Sequence, residues 1–432
     1  MICVSIGRSR HKMVIAEHRA MAEQGAELVE LRLDWLARLP NLARLIADRP
    51  TPVIITCRRE QDGGRWRGTE EQRLTLLRAA IADDVEYVDL EEDTAPKIPR
   101  YGRTKRIVSH HDFKETPQDL EEIHKRLCQC DPDIVKLVTM AQSPQDIVRV
   151  LKLVESASVP TVGFCMGEMG LASRILCGKY GSPFTYATFH KARQLAPGQL
   201  TFHEMRDIYR FDQINRETTV FGVLGDGAAD SLEVRLLNRA LAEQSMNAVC
   251  VPFAVPTEEL KDALAEFEWF PVRAYAVRPP LQTEVIALAE RQDDSVVRME
   301  AANVLCREEG AWFAVQTDVE AARQLLCRAA NRDPAEPKSL TGTHVLLLGT
   351  RPPARAMAWA TRAGGADLTV VAPQREAASR LAERVEARSV PWEDRELLDP
   401  DVFVHSTART SGLIPIPTSR LWSRNGCVRR PL

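Results

Sequence analysis

The sequence predicts an α/β chain in which an N-terminal (β/α)8 barrel precedes a second α/β region. Three observations carry this reading. Between residues 2 and 189, eight short aliphatic or β-branched runs occur, most of them followed by a stretch with helical apolar spacing. Strict βα alternation implies a parallel sheet, and eight repeats imply closure into a barrel of the TIM type. Polar residues sit at the C-terminal ends of the runs, the face on which such barrels build their sites. The alternation then breaks near residues 215–219 and again, at a proline-containing stretch, near 331–340. The expected domains are therefore 1–217, 218–332 and 333–432.

Composition sets the limits. The chain has 432 residues, 44% hydrophobic and 27% charged, enough for two or three domains with ordinary cores. A net charge of -3 gives no basic footprint, so neither nucleic acid nor a membrane surface is an expected partner. The N-terminus, MICVSIGRSRHK, turns charged after six residues, too soon for a signal peptide, and no run is long enough to span a membrane. Ten cysteines are scattered, and Cys128 and Cys130 have the wrong spacing for a zinc knuckle or redox pair. No metal site is expected. Thiols inside apolar strands, such as Cys57 and Cys165, suit a reducing cytoplasm. The residues leave a homodimer open.

The strands read in order are Ile2–Ile6, Leu28–Leu33, Val53–Cys57, Tyr87–Leu90, Ile107–His111, Ile134–Val138, Thr161–Cys165 and a weaker Thr185–Phe189. Helical spacing covers 13–24, 36–48, 70–83, 117–129, 143–156 and 200–214. Glu92–Lys105 carries Pro96, Pro99 and Gly102 and shows no good helix, because proline removes a donor and blocks the preceding turn.

Side-chain alternation then selects candidates. With a period of two, Glu30 shares a face with Arg32, Asp89 with Glu91, and Ser109 with His111. Glu91 is thus preferred over Glu92, and His111 over His110. Lys136 interrupts an aliphatic strand. A lysine so placed either extends its tip to water or gives up its proton and becomes a nucleophile. Ser5, Glu30, Arg32, Arg58, Asp89, Glu91, Ser109, His111 and Met166 converge on the same barrel face, which favours the nucleophile. Lysine, histidine and carboxylate together suggest imine formation followed by proton transfer. His111 would shuttle protons and Glu91 would fix its tautomer. Arg32, Arg58 and Arg174 suit a carboxylate, which a guanidinium grips with two parallel bonds. The residues alone point to a Schiff-base lyase or an aldolase acting on a small anionic keto compound.

Along residues 1–215 the motifs VSIGR, VELRLD, ITCR, VDLEE, SHHDF, IVKL, MGEMGLASRI, KYGSPFTYATF and LAPGQL occur in order. In them the chain resembles the type I 3-dehydroquinate dehydratases of the shikimate pathway. The resemblance implies syn loss of water from 3-dehydroquinate, giving 3-dehydroshikimate. It assigns the Schiff base to Lys136, general acid/base work to His111 and its support to Glu91. Ser5, Glu30, Arg32, Arg58, Arg174 and Gln199 would line the substrate pocket, and Ala196–Gln199 would form a lid that excludes water. Leu195 stands where a serine is common, and the segment between Glu91 and Ile107 is shorter than usual. His111 and the arginine set suit dehydration of a cyclic keto acid better than an aldol cleavage.

The second half begins with Val220–Leu224, a helical pattern at 231–244, and Ala248–Phe253. Asn331–Leu340, with Pro334 and Pro337, reads as a linker. After it come His344–Leu348, the turn Gly349-Thr350-Arg351-Pro352-Pro353, a helix, and Leu368–Val371. That is a Rossmann-like βαβ unit by shape. Close approach of a pyrophosphate needs glycines and free N–H groups, and Pro352-Pro353 supplies neither. No cofactor is expected. This half resembles shikimate dehydrogenases along its length. GVLGDGAADSLEVRLLN keeps Ser231 and Asn238 but carries Glu233 for the second serine. AVRPPLQ puts Gln282 at the position of the catalytic lysine, and an amide cannot act as acid or base. Asn303 and Asp318 are kept, with Val304 and Gln316 replacing a threonine and an asparagine. After the second strand, VVAPQR lacks the arginine expected for a 2′-phosphate, and a chain ending at Leu432 leaves out the family's last helices. The resemblance implies a degenerate, non-catalytic module. The alternatives are a bifunctional enzyme using NADP, and a binding or oligomerisation module.

Overall fold

A computed structural model describes residues 1–336 and 338–405; Pro337 of the expected linker and the end of the chain lie outside them. The chain divides into two compact units, Met1–Leu281 and Gln282–Leu432. The first unit opens with eight parallel strands: β1 (Ile2–Ile6), β2 (Leu28–Arg32), β3 (Val53–Thr56), β4 (Tyr87–Glu91), β5 (Lys105–His111), β6 (Ile134–Met140), β7 (Thr161–Met166) and β8 (Thr185–Thr188). Hydrogen bonding runs β7-β6-β5-β4-β3-β2-β1-β8. The barrel is therefore nearly closed rather than fully closed, with β7 and β8 at the two ends of the order. Across that seam Phe164 of β7 and Tyr186 of β8 face each other with ring centroids 6.3 Å apart. Helices α1 (His11–Glu23), α2 (Leu42–Ile46), α3 (Glu70–Ala82), α4 (Leu120–Cys128), α5 (Pro144–Ser156) and α6 (Leu171–Leu176) alternate with the strands. Between β4 and β5 only a short turn at Ala95–Lys97 forms, as the prolines there require.

Two helical expectations shorten. The 36–48 pattern yields α2 alone, which begins after Pro40 and an Asn41 cap that accepts from the Arg44 amide at 3.0 Å. The 200–214 pattern becomes a π-turn at Glu204–Ile208 and a tight turn at Phe211–Gln213, because Arg210 takes a left-handed conformation that ends the helix.

The barrel is not where the first unit stops. Strands β9 (Thr219–Leu224), β10 (Ala248–Phe253) and β11 (Val272–Val277) are parallel in the order β10-β9-β11, with α7 (Leu232–Glu243) and α8 (Leu260–Glu266) between them. They pack on the barrel: Tyr180 stacks on Trp269 at 4.5 Å, and the Lys179 ammonium donates to the Thr218 carbonyl at 3.0 Å. Compactness draws a line after Leu281, inside the stretch expected to run from 218 to 332. In the second unit, parallel strands run in the order Arg388–Ser389, Asp367–Val371, His344–Leu348, Val402–His405, with helix Pro352–Ala363 following the third of these in chain sense. An antiparallel hairpin, Val304–Glu308 with Ala311–Val315, precedes them. Among the described residues no helix is long and apolar enough to cross a membrane.

One buried cation knits the barrel's β3–β4 side. Arg73 of α3 is fully buried and donates to Glu91 at 2.7 Å, Glu70 at 2.8 Å, the Thr94 hydroxyl at 2.7 Å and the Cys57 carbonyl at 3.0 Å. Removing one partner of such a pair strands the other charge, which costs about 3–5 kcal/mol. Arg73→Met should therefore lower the unfolding free energy by that amount, and the urea midpoint by that amount divided by an unchanged m.

Candidate active site

The register of the barrel strands brings the polar residues to one level. Ser5 pairs with Glu30, Glu91 with Ser109, and Ser109 with Lys136. A cavity of about 60 Å³ opens at that mouth, lined among others by Ser5, Glu30, Arg32, Arg58, His111, Lys136, Arg174 and Gln199. Of the residues expected there from the sequence, Asp89, Glu91 and Ser109 do not line it.

Lys136 is 5% exposed, and its ammonium meets carboxylates rather than aliphatic groups. Asp89 Oδ2 lies 3.1 Å from Nζ and Glu30 Oε1 3.6 Å, while the Tyr186 ring centroid is 4.0 Å away. Each carboxylate is itself held. Glu30 accepts from Ser5 at 2.6 Å and Thr56 at 2.8 Å. Asp89 accepts from Ser109 at 2.6 Å and from Arg58 at 2.8 Å. Burial by itself would raise both carboxyls. The facing cations outweigh it: Lys136 and Arg32 hold Glu30 below its usual range, and Arg58 and Lys136 hold Asp89 well below. The two anions compensate the cost of burying the ammonium.

Glu91 differs from its expected role. One of its oxygens accepts from Arg73 at 2.7 Å and the other from Arg58 at 3.3 Å, so it steadies Arg58 instead of orienting His111. Among the carboxylates it is the charge of Asp89 that acts on the imidazole. The alternation rule placed Asp89 and Glu91 on the same face, but Arg73 and Arg58 claim Glu91, and Asp89 is the one that meets Lys136. His111 stacks on Phe113 with centroids 6.0 Å apart. Burial, then the charges of Arg58 and Lys136, push its pKa well below the ordinary 6.5. The imidazole is consequently neutral at neutral pH.

The three arginines are not equivalent. Arg32 is bound bidentately by Asp34 at 2.9 and 2.8 Å, and Arg58 by Asp89, Ser109 and Glu91. Arg174, 2% exposed, donates from one nitrogen to the Tyr186 carbonyl at 3.3 Å, and its guanidinium lies 4.1 Å over the Phe164 ring. Among the described residues its Nε and Nη2 have no hydrogen-bond partner. Burial pushes it down to about 10, still cationic at neutral pH. Two idle donors on a buried cation make a receptor for a carboxylate.

Sequence reasoning missed several lining residues: Asp62 and Gly63, Phe113, Val138, Phe164 and Tyr186. Tyr186 was legible in principle, since it alternates inward on β8. The Asp62-Gly63 turn follows β3 and carried no periodic signal. Leu195, noted as a departure, is a wall of the cavity, and its amide donates to Gln199 Oε1 at 2.9 Å.

A family model described as type I 3-dehydroquinase matches residues 2–216. The 3-dehydroquinate dehydratase of Dehalococcoides mccartyi is 39% identical over 43% of this chain and 86% of its own length. That of Methanopyrus kandleri is 37% identical over 48% of this chain and 97% of its own length. A chloroplastic protein of Arabidopsis thaliana, named bifunctional 3-dehydroquinate dehydratase/shikimate dehydrogenase, is 29% identical over 96% of this chain and 72% of its own. The solved dehydroquinate dehydratase and shikimate dehydrogenase from S. pombe is 20% identical, with TM-score 0.41, covering 95% of this chain and 83% of that one.

The electrostatics of His111 are open to a direct check. In a ring-nitrogen NMR titration its midpoint should lie below 6.5, because burial and then the charges of Arg58 and Lys136 oppose protonation. Arg58→Gln should move the midpoint upward; a midpoint at or above 6.5 in the native chain would contradict the described environment.

Proposed function

This chain belongs, through residues 2–216, to the type I 3-dehydroquinase family of hydro-lyases, and from that we propose that its barrel dehydrates 3-dehydroquinate through an imine on Lys136. The observation that carries the reading is one cavity holding a buried amine, a neutral imidazole and an arginine with two idle donors.

Arg174 takes the substrate carboxylate and so sets the ring against Lys136. The ammonium gives a proton to His111, and Nζ attacks the ketone carbon. His111 returns its proton to the former ketone oxygen, which leaves as water, and a protonated imine forms with the imidazole neutral again. His111 then removes the α-proton, and the released electron pair moves toward the imine nitrogen. The enamine expels the β-hydroxyl, which takes a proton from the same imidazole and departs as water. Hydrolysis of the imine uses one water and frees Lys136, so the balance is one water lost from the substrate. One histidine serving both proton steps from one side accords with a syn elimination. Leu195, Ala196 and Gln199 close the cavity while the imine exists.

We further propose that the rest of the chain performs no hydride transfer. Glu233, at the place of a substrate-binding serine in the resembled family, has both carboxylate oxygens on Arg278, at 2.8 and 2.9 Å. A carboxylate of the chain itself thus stands where a ligand's would be wanted. Gln282 occupies the lysine position. The residues also do not fit a dinucleotide: the helix after Leu348 starts at Pro352, and Pro352 and Pro353 bring no N–H to a pyrophosphate. A second reading, bifunctional dehydration and NADP-dependent shikimate oxidation, draws support from the Arabidopsis thaliana relative and from one retained contact, Asn303 Nδ2 to Asp318 Oδ1 at 2.8 Å.

Dehydration of 3-dehydroquinate should be abolished in Lys136→Ala and slowed by about 10²–10⁴-fold in His111→Ala. Arg174→Gln should raise KM by about 10- to 150-fold, the worth of a charged hydrogen bond. Near-normal turnover in Lys136→Ala would remove the imine from the mechanism. The native chain should leave shikimate unchanged in the presence of NADP; oxidation at a rate comparable to the dehydration would establish the second reading.

A further inference from the structure

The loop that covers the cavity is also tied, on its other side, to the segment that follows the barrel. The inner side of residues 190–199 presents Leu195, Ala196 and Gln199 to Lys136's cavity. The loop is braced on itself: Gln194 Nε2 donates to the Gln199 carbonyl at 2.7 Å, and Gln199 Oε1 accepts from Leu195. Gly198, at φ +69°, lies where a Cβ would come within 2.5 Å of the Gly167 carbonyl oxygen, so only glycine lets the loop sit this low.

Behind the loop the packing is open. A second cavity, about 480 Å³, lies between its outer side (Lys191, Gln194, Gly198, Gln199) and a far wall of Gly227, Ala229, Asp230, Val234 and Arg235 from the start of α7. Gln199 lines both cavities. A loop with free space behind it can swing outward, as lids over water-sensitive chemistry do. Across this space the Lys191 ammonium reaches Asp230 Oδ1 at 2.9 Å, and it also contacts Glu204 of the barrel at 3.4 Å.

We propose that the Gly227–Arg235 segment is a latch for the barrel's lid, in which Asp230 holds Lys191 and so biases the loop toward its closed position over Lys136. This gives the post-barrel region work that needs no chemistry of its own. It rests on reading the barrel cavity as the dehydratase site. Lys191 and Asp230 are positioning residues: neither reaches the reacting atoms. The pair is half-exposed on the lysine side and open on the aspartate side, so its effect is modest. An exposed ion pair shifts an equilibrium by about 1.4- to 5-fold.

The test is hydrogen exchange of the backbone amides at 190–199 in the full chain without substrate, paired with steady-state kinetics. Asp230→Asn should speed exchange there by about two- to five-fold and raise KM for 3-dehydroquinate by a similar factor. In a Lys191→Met background the same substitution should change neither. Unchanged exchange in Asp230→Asn overturns the latch, as does an equal effect with and without Lys191. Faster exchange with an unchanged KM overturns its link to turnover. Because exchange is read without substrate, failure of the native chain to dehydrate 3-dehydroquinate would count against the assignment of the cavity, not against the latch.

Discussion

The barrel mouth is arranged around the burial of one ammonium. Lys136 can lie inside only because Asp89 and Glu30 face it, and those anions in turn need Arg58, Ser109, Ser5 and Thr56 to hold them. Arg58 leans on Glu91, which leans on Arg73, so the network reaches from the cavity to helix α3. Along it, Lys136, Arg32, Arg58 and Arg73 are met by Glu30, Asp34, Asp89 and Glu91. Arg174 is the cation left over, buried and with two nitrogens unpartnered among the described residues. The charge pattern is thus incomplete without an anion beside Lys136, and a keto acid supplies both the anion and the electrophile.

Much of this was legible in the sequence because barrels obey simple periodicities. The period of two selected His111 over His110, and the strand-end rule brought Ser5, Glu30, Arg32, Arg58, His111, Lys136 and Met166 to one cavity, whereas Gln199 came from the resemblance and Arg174 from the chemistry of guanidinium. Glu91 escaped the rule. Alternation says which side of a strand a carboxylate faces, but not which cation will claim it, and Arg73 comes from a helix whose tilt no strand pattern encodes. Asp62 and Gly63 escaped for a different reason: they lie on a turn, where no period exists to read. The near-closure between β7 and β8 was likewise invisible, since eight βα repeats predict the strands but not the last hydrogen bonds.

On the proposed reading, the region after the barrel keeps a fold while its site chemistry is replaced. Asn238 still bonds both ways to the backbone of Cys250, at 2.7 and 2.9 Å, and so keeps α7 docked on β10. Such contacts preserve architecture. At the positions that would touch ligands, by contrast, Glu233 is neutralised by Arg278 and the βα turn begins a helix with two prolines. A scaffold of this kind can serve as a rigid wall, and the lid of the barrel lies opposite it across an open space.

The amine of Lys136 is the group on which the dehydration depends. Incubation with 3-dehydroquinate and borohydride, followed by peptide mapping, should place a single reduced adduct on Lys136 and inactivate the chain in proportion to its formation. Turnover that continues with no adduct on Lys136, or an adduct on another lysine such as Lys179, would contradict it.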